Sequence, residues 1–342
     1  MKRKLILSFS ALFALSANAQ HDRLISNWNQ SAVIYNPAAV ALGQNDMSFF
    51  VNHRSQWLTV PDMGVGMRTN YLNGEFKVKE SGSLGSTNSF GMGFNVLSDQ
   101  TGSANLTTLS VSIPINYTIG LDRHNRLSIG MSPGFIQQSS DRSSQTWENQ
   151  WNGTTFDPAT TGVENSINGS YATMDLGAGV HFQHQLQGKS SIYVGYAVNH
   201  LVKPKMAWSF TGDKMYMQMV LQGGADLATR NKDLRIQPNI LFFKTGKTNS
   251  LTAGVTFEST FKEGSKITGI NKSSCVNYGV YYRHKDAVVA TFGMKVDRFR
   301  FGISFDANTS RLNQATSGIG AAELYFKVLM NYKKYNSRSK IK

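Results

Sequence analysis

Long segments of alternating residues constrain this sequence more than any other feature. Between residues 298 and 306, Phe299, Phe301, Ile303 and Phe305 alternate with charged, polar or small residues. Successive side chains of a β-strand point to opposite faces, so this pattern predicts a strand with one apolar face. About fourteen segments share it, near 47–57, 63–73, 88–98, 106–119, 126–137, 171–185, 190–200, 214–228, 233–244, 249–262, 274–284, 286–296, 298–308 and 319–332.

The length of these segments favours strands that cross a membrane. Many are about 10–14 residues long, whereas globular strands usually have ~5–6 residues and tilted membrane strands about 9–11. Lipid offers no hydrogen-bond partners to a sheet edge, so spanning strands must close on themselves. We therefore predict an all-β fold: a transmembrane antiparallel β-barrel of the outer membrane, about 14 strands, with an N-terminal plug-like segment. Two soluble β-sandwich domains are the alternative, but no Pro/Gly/Ser-rich linker divides the chain.

The connections between these segments predict an orientation. The longest, roughly 138–170, 201–213 and 309–318, follow odd-numbered strands, and most connections after even-numbered strands are short. Outer-membrane barrels have short periplasmic turns and longer extracellular loops, so both termini should be periplasmic. Two connections, 74–87 and 263–273, are longer than expected for the periplasmic side.

The N-terminus has the three parts of a signal peptide. A positively charged region, Met1-Lys2-Arg3-Lys4, precedes an apolar run from Leu5 to Leu15, and Ala17-Asn18-Ala19 fits the small-residue cleavage pattern. A signal peptide directs export of the chain and is then removed, here by cleavage after Ala19. The predicted location is the outer membrane of a Gram-negative bacterium. The predicted divisions are a signal peptide (1–19), an N-terminal periplasmic or plug segment (20–46), a barrel (47–332) and a basic C-terminal tail (333–342).

Composition and motifs argue against catalysis, metal binding and nucleic-acid binding. The net charge is +14, but an exported chain does not meet nucleic acid, and the basic tail is either a solvated end or a contact for an acidic partner. The single cysteine, Cys275, excludes a Cys-rich metal site and receives no role. No nucleophile or phosphate-loop motif is present. We therefore expect no enzyme, metal or cofactor; a barrel hydrolase ranks below a passive porin or hydrophobic-solute transporter.

Alternation places several polar residues on the inner face of the barrel. Arg54 and Gln56 should face the lumen if Trp57 faces lipid. Asp175 and Glu323 should also point inward, in a structural network or, alternatively, in a proton relay or substrate site. Their expected partners are arginine or lysine residues of the lumen, such as Arg298 or Arg300. Aromatic residues near strand ends are candidates for the interfacial girdle: Trp57, Tyr71, Tyr117, Tyr196, Trp208 and Tyr332.

Several motifs, in the same order along most of the chain, resemble those of the PorP/SprF family. Tyr35-Asn36-Pro37-Ala38-Ala39-Val40-Ala41 resembles the family's Asn-Pro-Ala signature, with Ala39-Val40-Ala41 in place of the usual tyrosine or phenylalanine step and Gly43 two residues late. His53-Arg54-Ser55-Gln56-Trp57 is similar to its Tyr-Arg-x-Gln-Trp motif. Further similarities are in Gly91-Met92-Gly93-Phe94, Asp175-Leu176-Gly177-Ala178-Gly179-Val180, Tyr193-Val194-Gly195-Tyr196, Ser304-Phe305-Asp306 and Gly320-Ala321-Ala322-Glu323-Leu324.

This resemblance implies a role that the residues alone do not. Family members are outer-membrane barrels of the type IX secretion system of Bacteroidota. They act in the core machinery with periplasmic PorK- and PorN-like components, or assist one large secreted, adhesin-like surface protein. The family has no known catalytic residues. The matching residues Asn36, Pro37, Ala38, Arg54, Gln56, Trp57, Asp175, Asp306 and Glu323 would then serve plug docking, barrel closure or partner docking.

Overall fold

Antiparallel strands make up most of the protein in a computed structural model. The structure describes residues 24–57, 66–83, 86–102, 105–139, 148–157, 170–205, 214–262, 273–310 and 316–332. The strands in this part of the chain are β1 (Met47–Gln56), β2 (Met67–Ser83), β3 (Ser86–Thr101), β4 (Leu106–Ser112), β5 (Ile115–Gly120), β6 (Asn125–Ser139), β7 (Ser170–Gln185), β8 (Ser191–Asn199), β9 (Gln218–Ala228), β10 (Leu234–Thr245), β11 (Thr248–Lys262), β12 (Ser274–Arg283), β13 (Ala287–Val296), β14 (Phe299–Asn308) and β15 (Ile319–Met330).

The sheet closes into a barrel of fourteen strands. Each strand pairs antiparallel with its neighbours in chain order, and β15 returns to pair with β1. Strands β4 and β5 lie in one register against both β3 and β6, so they form a single strand interrupted at Ile113–Pro114. Proline lacks the amide hydrogen that the ladder needs, which explains the interruption. The predicted barrel and its strand number are confirmed.

The strand bounds follow the predicted segments closely, with one clear difference. Residues 74–87 were predicted as a connection, but β2 continues to Ser83 and β3 begins at Ser86. The register between these strands shifts between Lys77 and Lys79, as in a β-bulge. A bulge inserts an extra residue and breaks the alternation, so the pattern hid this part of the strand pair. Segment 263–272 lies outside the described residues.

The two faces of the barrel differ as the alternation predicts. The apolar residues of β14 are exposed on the outer surface, whereas Ser304 and Asp306 are buried inside. Tyr117, Tyr196 and Tyr332 are exposed, as girdle residues should be, but Tyr71 is 1% exposed. Its assignment to the girdle is wrong because it shares the inner face of β2 with the buried residues Thr69 and Asn73.

The two ends of the barrel differ in their connections. We call the end where β1 finishes the long-loop end, since the connections 140–169 and 200–217 lie there. The opposite, short-turn end has compact turns such as 121–124 and 186–190. In the first of these turns, hydrogen bonds from the Asn125 side chain and from two backbone amides lower the pKa of Asp122. No helix among the described residues is long and apolar enough to span a membrane.

Candidate functional site

Residues 24–41, which precede β1, lie inside the barrel. Residues 24–41, here called the inner segment, contain three single-turn 3-10 helices, Trp28–Gln30, Ala32–Ile34 and Pro37–Ala39. Trp28, Val33, Tyr35, Ala38 and Val40 are buried. The segment is mostly uncharged and apolar, so its burial removes a substantial apolar area from water.

The inner segment crosses the barrel from one end to the other. Near the long-loop end, the backbone amide of Ser26 donates to Glu323 Oε1 at 2.6 Å. Near the short-turn end, the amide of Ala41 donates to Glu75 Oε2 at 2.8 Å. Between these points, Trp28 and Tyr35 pack with a core cluster that includes residues of β8, β9 and β10. The protein's own chain thus contacts the inner wall of the barrel near both ends and between them.

Four charged side chains from different strands form a buried cluster at the long-loop end. Arg54 of β1 pairs with Glu323 of β15 at 2.7 Å and with Asp306 of β14 at 2.9 Å. Arg283 of β12 pairs with the same Asp306 oxygen at 3.1 Å. No more than 4% of any of these four side chains is exposed. We call them the charge cluster; two cations balance two carboxylates, as burial of charge requires.

The inner segment completes this cluster through Ser26 and Asn27. The Ser26 hydroxyl donates to Asp306, at 2.8 Å from Oδ1, and accepts hydrogen bonds from Arg54 and Arg283 at 2.9 Å. The backbone amide and side-chain amide of Asn27 both donate to Glu323 Oε2, at 3.0 and 2.9 Å. Charge-assisted hydrogen bonds of this kind are stronger than neutral ones. The cluster is therefore a receptor for the start of the inner segment.

The Asn-Pro-Ala motif fits against a wall of small residues. Asn36 Oδ1 accepts from the amide of Ala38 at 2.9 Å, and its Nδ2 donates to the Val180 carbonyl of β7 at 3.1 Å. Pro37 occupies the first position of the 3-10 turn, where its missing amide hydrogen is not needed. A Cβ atom at Gly130 would lie 2.6 Å from the Ala38 backbone, and one at Gly179 would overlap Asn36 Oδ1. Only glycine allows this close approach.

Asn116 of β5 fastens the same motif. Its Nδ2 lies 3.0 Å from the Ala38 carbonyl and 2.7 Å from the Val40 carbonyl. We expect Asn116→Ala to lower the free energy of unfolding in detergent by about 1–3 kcal/mol. The change removes the side-chain donor to the buried Val40 carbonyl and the acceptor of the Gly91 amide. Asn70→Ala is the control, since the exposed Asn70 side chain bonds only to His53 among the described residues. Equal losses from both variants in urea titrations would contradict this prediction.

The structure brings together most of the predicted site residues, but not all. Asn36, Pro37 and Ala38 form one contact of the inner segment, and Arg54, Asp306 and Glu323 form the other. Gln56 lies beside Arg54, at 3.4 Å from its guanidinium. Trp57 stands apart: its backbone amide donates to the Gly320 carbonyl where β1 meets β15.

Asp175 also stands apart from the charge cluster. Its Oδ2 lies 2.9 Å from His200 Nδ1. Both residues line a cavity of about 110 Å³ beside Tyr35 and Pro37. In the described part of the chain, no group of three or more His, Cys, Asp or Glu residues is placed to hold a metal ion.

The partner of Glu323 is a lumen arginine, as predicted, but it is not Arg298 or Arg300. Asp175 contacts His200 instead of an arginine or lysine. Glu323 pairs with Arg54, and Arg300 lies 3.6 Å from Glu258. Ser304 is the β14 residue directly opposite Glu323, so Arg300 is four residues, or about 13 Å, away along the strand. Sequence reasoning also missed Ser26, Asn27 and Arg283. The residues around them in the sequence carry no recognisable motif. Their partners are distant in the chain and come close to them only when the barrel closes.

Comparison with known proteins agrees with this architecture. The sequence profile described as type IX secretion system membrane protein PorP/SprF matches residues 17–327. No curated protein matches the chain. Similar solved structures include the toluene transporter TbuX of Ralstonia pickettii (9% identity, TM-score 0.51, 88% of this chain and 93% of that chain covered). Another is the toluene transporter TodX of Pseudomonas putida (12% identity, TM-score 0.45, coverage 90% and 93%). The similarity to TbuX shows that the fold is that of an outer-membrane barrel. The profile match shows that the chain belongs to the PorP/SprF family of type IX secretion system membrane proteins.

Proposed function

We propose that this barrel assists secretion or surface attachment of a partner protein, without catalysis of its own. The observation that carries this proposal is the position of the inner segment, which lies inside the barrel and is held by hydrogen bonds near both of its ends. Such a barrel suits a scaffold or docking component better than a passive pore. The periplasmic components of the system and a large secreted, adhesin-like protein are the partners that the family suggests.

In this proposal the inner segment is a plug. Its apolar residues pack against the inner faces of β8 to β10, and its first described residues are held by the charge cluster. In this proposal Arg54, Asp306 and Glu323, which match family motifs, bind the plug and do not line a channel for solutes. We also propose that the signal peptide is cleaved and that both termini lie in the periplasm.

Deletion of the protein tests the proposal. We expect quantitative proteomics of the medium and the cell surface to show loss of one large surface protein, restored by the wild-type chain on a plasmid. Broad loss of exported proteins would assign the chain to the core machinery. An unchanged set of surface and secreted proteins would refute the proposal.

A second measurement distinguishes the proposed role from that of a passive porin or hydrophobic-solute transporter. We expect the purified wild-type protein to show no steady open conductance in planar bilayers, since the inner segment lies inside the barrel. A steady open current, together with impaired solute uptake in the deletion strain, would favour transport instead.

A further inference from the structure

Exposed lysines are concentrated on one side of the long-loop end. They lie in or beside three consecutive connections, between β8 and β9, between β10 and β11, and between β12 and β13. All six are exposed, and none forms an ion pair within the described residues. We call this set the lysine rim: Lys203, Lys205, Lys214, Lys244, Lys247 and Lys285.

Within the described residues of the three connections, acidic side chains do not balance the charges of the lysine rim. In the described residues of these three connections the only carboxylate is Asp286, and it pairs with Arg283 at 3.1 Å. Lys205 and Lys214 lie directly opposite each other in an isolated antiparallel bridge. Like charges in that position destabilise a strand pair unless an anion lies between them. The local arrangement therefore calls for an external anion.

The surroundings of the lysine rim indicate where this anion resides. Val202, Tyr216, Met219, Leu251 and Tyr282 are exposed beside it on the outer surface of the barrel. The lysines thus border the apolar band, at the level where lipid headgroups meet water. Lysine stems can cover apolar surface there while their ammonium groups reach the headgroups. An anion in the membrane fits this position better than a soluble acidic protein.

We propose that the lysine rim binds the phosphate groups of anionic lipids in the leaflet at the long-loop end. Each ammonium group acts as a point charge toward phosphate, and several together select lipids with more than one phosphate. The connections that carry the lysines are two strands apart, so adjacent groups are separated by about 10 Å or more along the rim. The rim can therefore contact more than one phosphate at once. This proposal does not depend on the secretion role.

A lipid titration of the purified full-length protein tests the proposal. Native mass spectrometry in neutral detergent would compare bisphosphorylated lipid A, monophosphorylated lipid A and phosphatidylcholine. The rim variant replaces four lysines by glutamine (K203Q/K205Q/K214Q/K247Q). We expect it to bind bisphosphorylated lipid A at least about tenfold more weakly than the wild type and to lose the preference for two phosphates.

A matched variant controls for net charge. Arg123, Lys189, Arg230 and Lys232 are exposed in turns of the short-turn end, so R123Q/K189Q/R230Q/K232Q removes the same number of cations. We expect its affinity for lipid A to stay within about twofold of the wild type, because binding at the rim is local. Gel migration of unheated samples verifies that both variants are folded.

Three outcomes would overturn the proposal. The first is an equal loss of affinity in both variants, which would mean that only net charge matters. The second is wild-type binding of lipid A no tighter than that of phosphatidylcholine. The third is a rim variant that keeps its affinity for bisphosphorylated lipid A, which would mean that these lysines do not bind its phosphates.

Discussion

Glu323→Ala is expected to lower the free energy of unfolding by about 3–5 kcal/mol, since it breaks a buried ion pair and leaves Arg54 and Arg283 to share Asp306 as their buried carboxylate. The change gives the charge cluster a net charge of +1. It also removes the acceptor for Arg54, for both amides of Asn27, for the Ser26 backbone and for Asn52. Urea titration in detergent, followed by the mobility of unheated samples in gels, measures the loss.

A surface ion pair provides the control for this prediction. Asp226 pairs with Arg235 at 2.7 Å, but 40% and 26% of their side chains are exposed. Asp226→Ala should therefore reduce stability by less than about 1 kcal/mol. Glu323→Gln keeps the shape of the side chain and removes its charge, so we expect an intermediate loss. If Glu323→Ala destabilises no more than Asp226→Ala, the charge cluster does not hold the inner segment.

Gly130→Ala is expected to displace the inner segment and open the lumen. The new methyl group would lie 2.6 Å from the backbone of Ala38, and backbone atoms cannot yield unless the segment moves. Overpacking of this kind costs about 1–3 kcal/mol. In planar bilayers we expect steady ion conductance where the wild type has none, and faster proteolysis within the first residues of the chain.

Another strand glycine serves as the control. A Cβ atom at Gly223 would meet Ile240 Cγ2 and the Tyr193 carbonyl at 3.5 Å, which is ordinary contact. Gly223→Ala should therefore keep the closed state and wild-type stability within about 1 kcal/mol. A closed Gly130→Ala barrel with an intact inner segment would show that the Asn-Pro-Ala motif does not depend on the glycine wall.

The strands could be predicted because their signal is local. Alternation along β14 is visible in the sequence itself and requires no knowledge of its neighbours. The alternation does not predict the part of β2 near the register shift beside Lys77, because the bulge interrupts the pattern there. The prediction for Tyr71 is wrong because its place near a strand end does not determine which face of the sheet it occupies. Tyr71 lies two residues from both Thr69 and Asn73, so strand alternation places all three side chains on the inner face of the barrel.

The site could be predicted only in part. Alternation correctly turns Arg54 toward the lumen, and the family resemblance selects Asp306 and Glu323, but neither reveals that these three side chains meet. Their contact depends on the pairing of β1 with β15 and on the register of β14, which are properties of the closed barrel. The role of Ser26 is non-local in the same way.

Barrel closure also determines when the inner segment can be captured during folding. Ser26 and Glu323 are 297 residues apart in the chain, and Glu323 belongs to β15, the last strand among the described residues. The carboxylates that hold the beginning of the chain thus become available only when its end has been placed beside β1. Contacts of such long range form late. A truncated chain would lack them, so capture of the N-terminal residues distinguishes a complete barrel from an unfinished one.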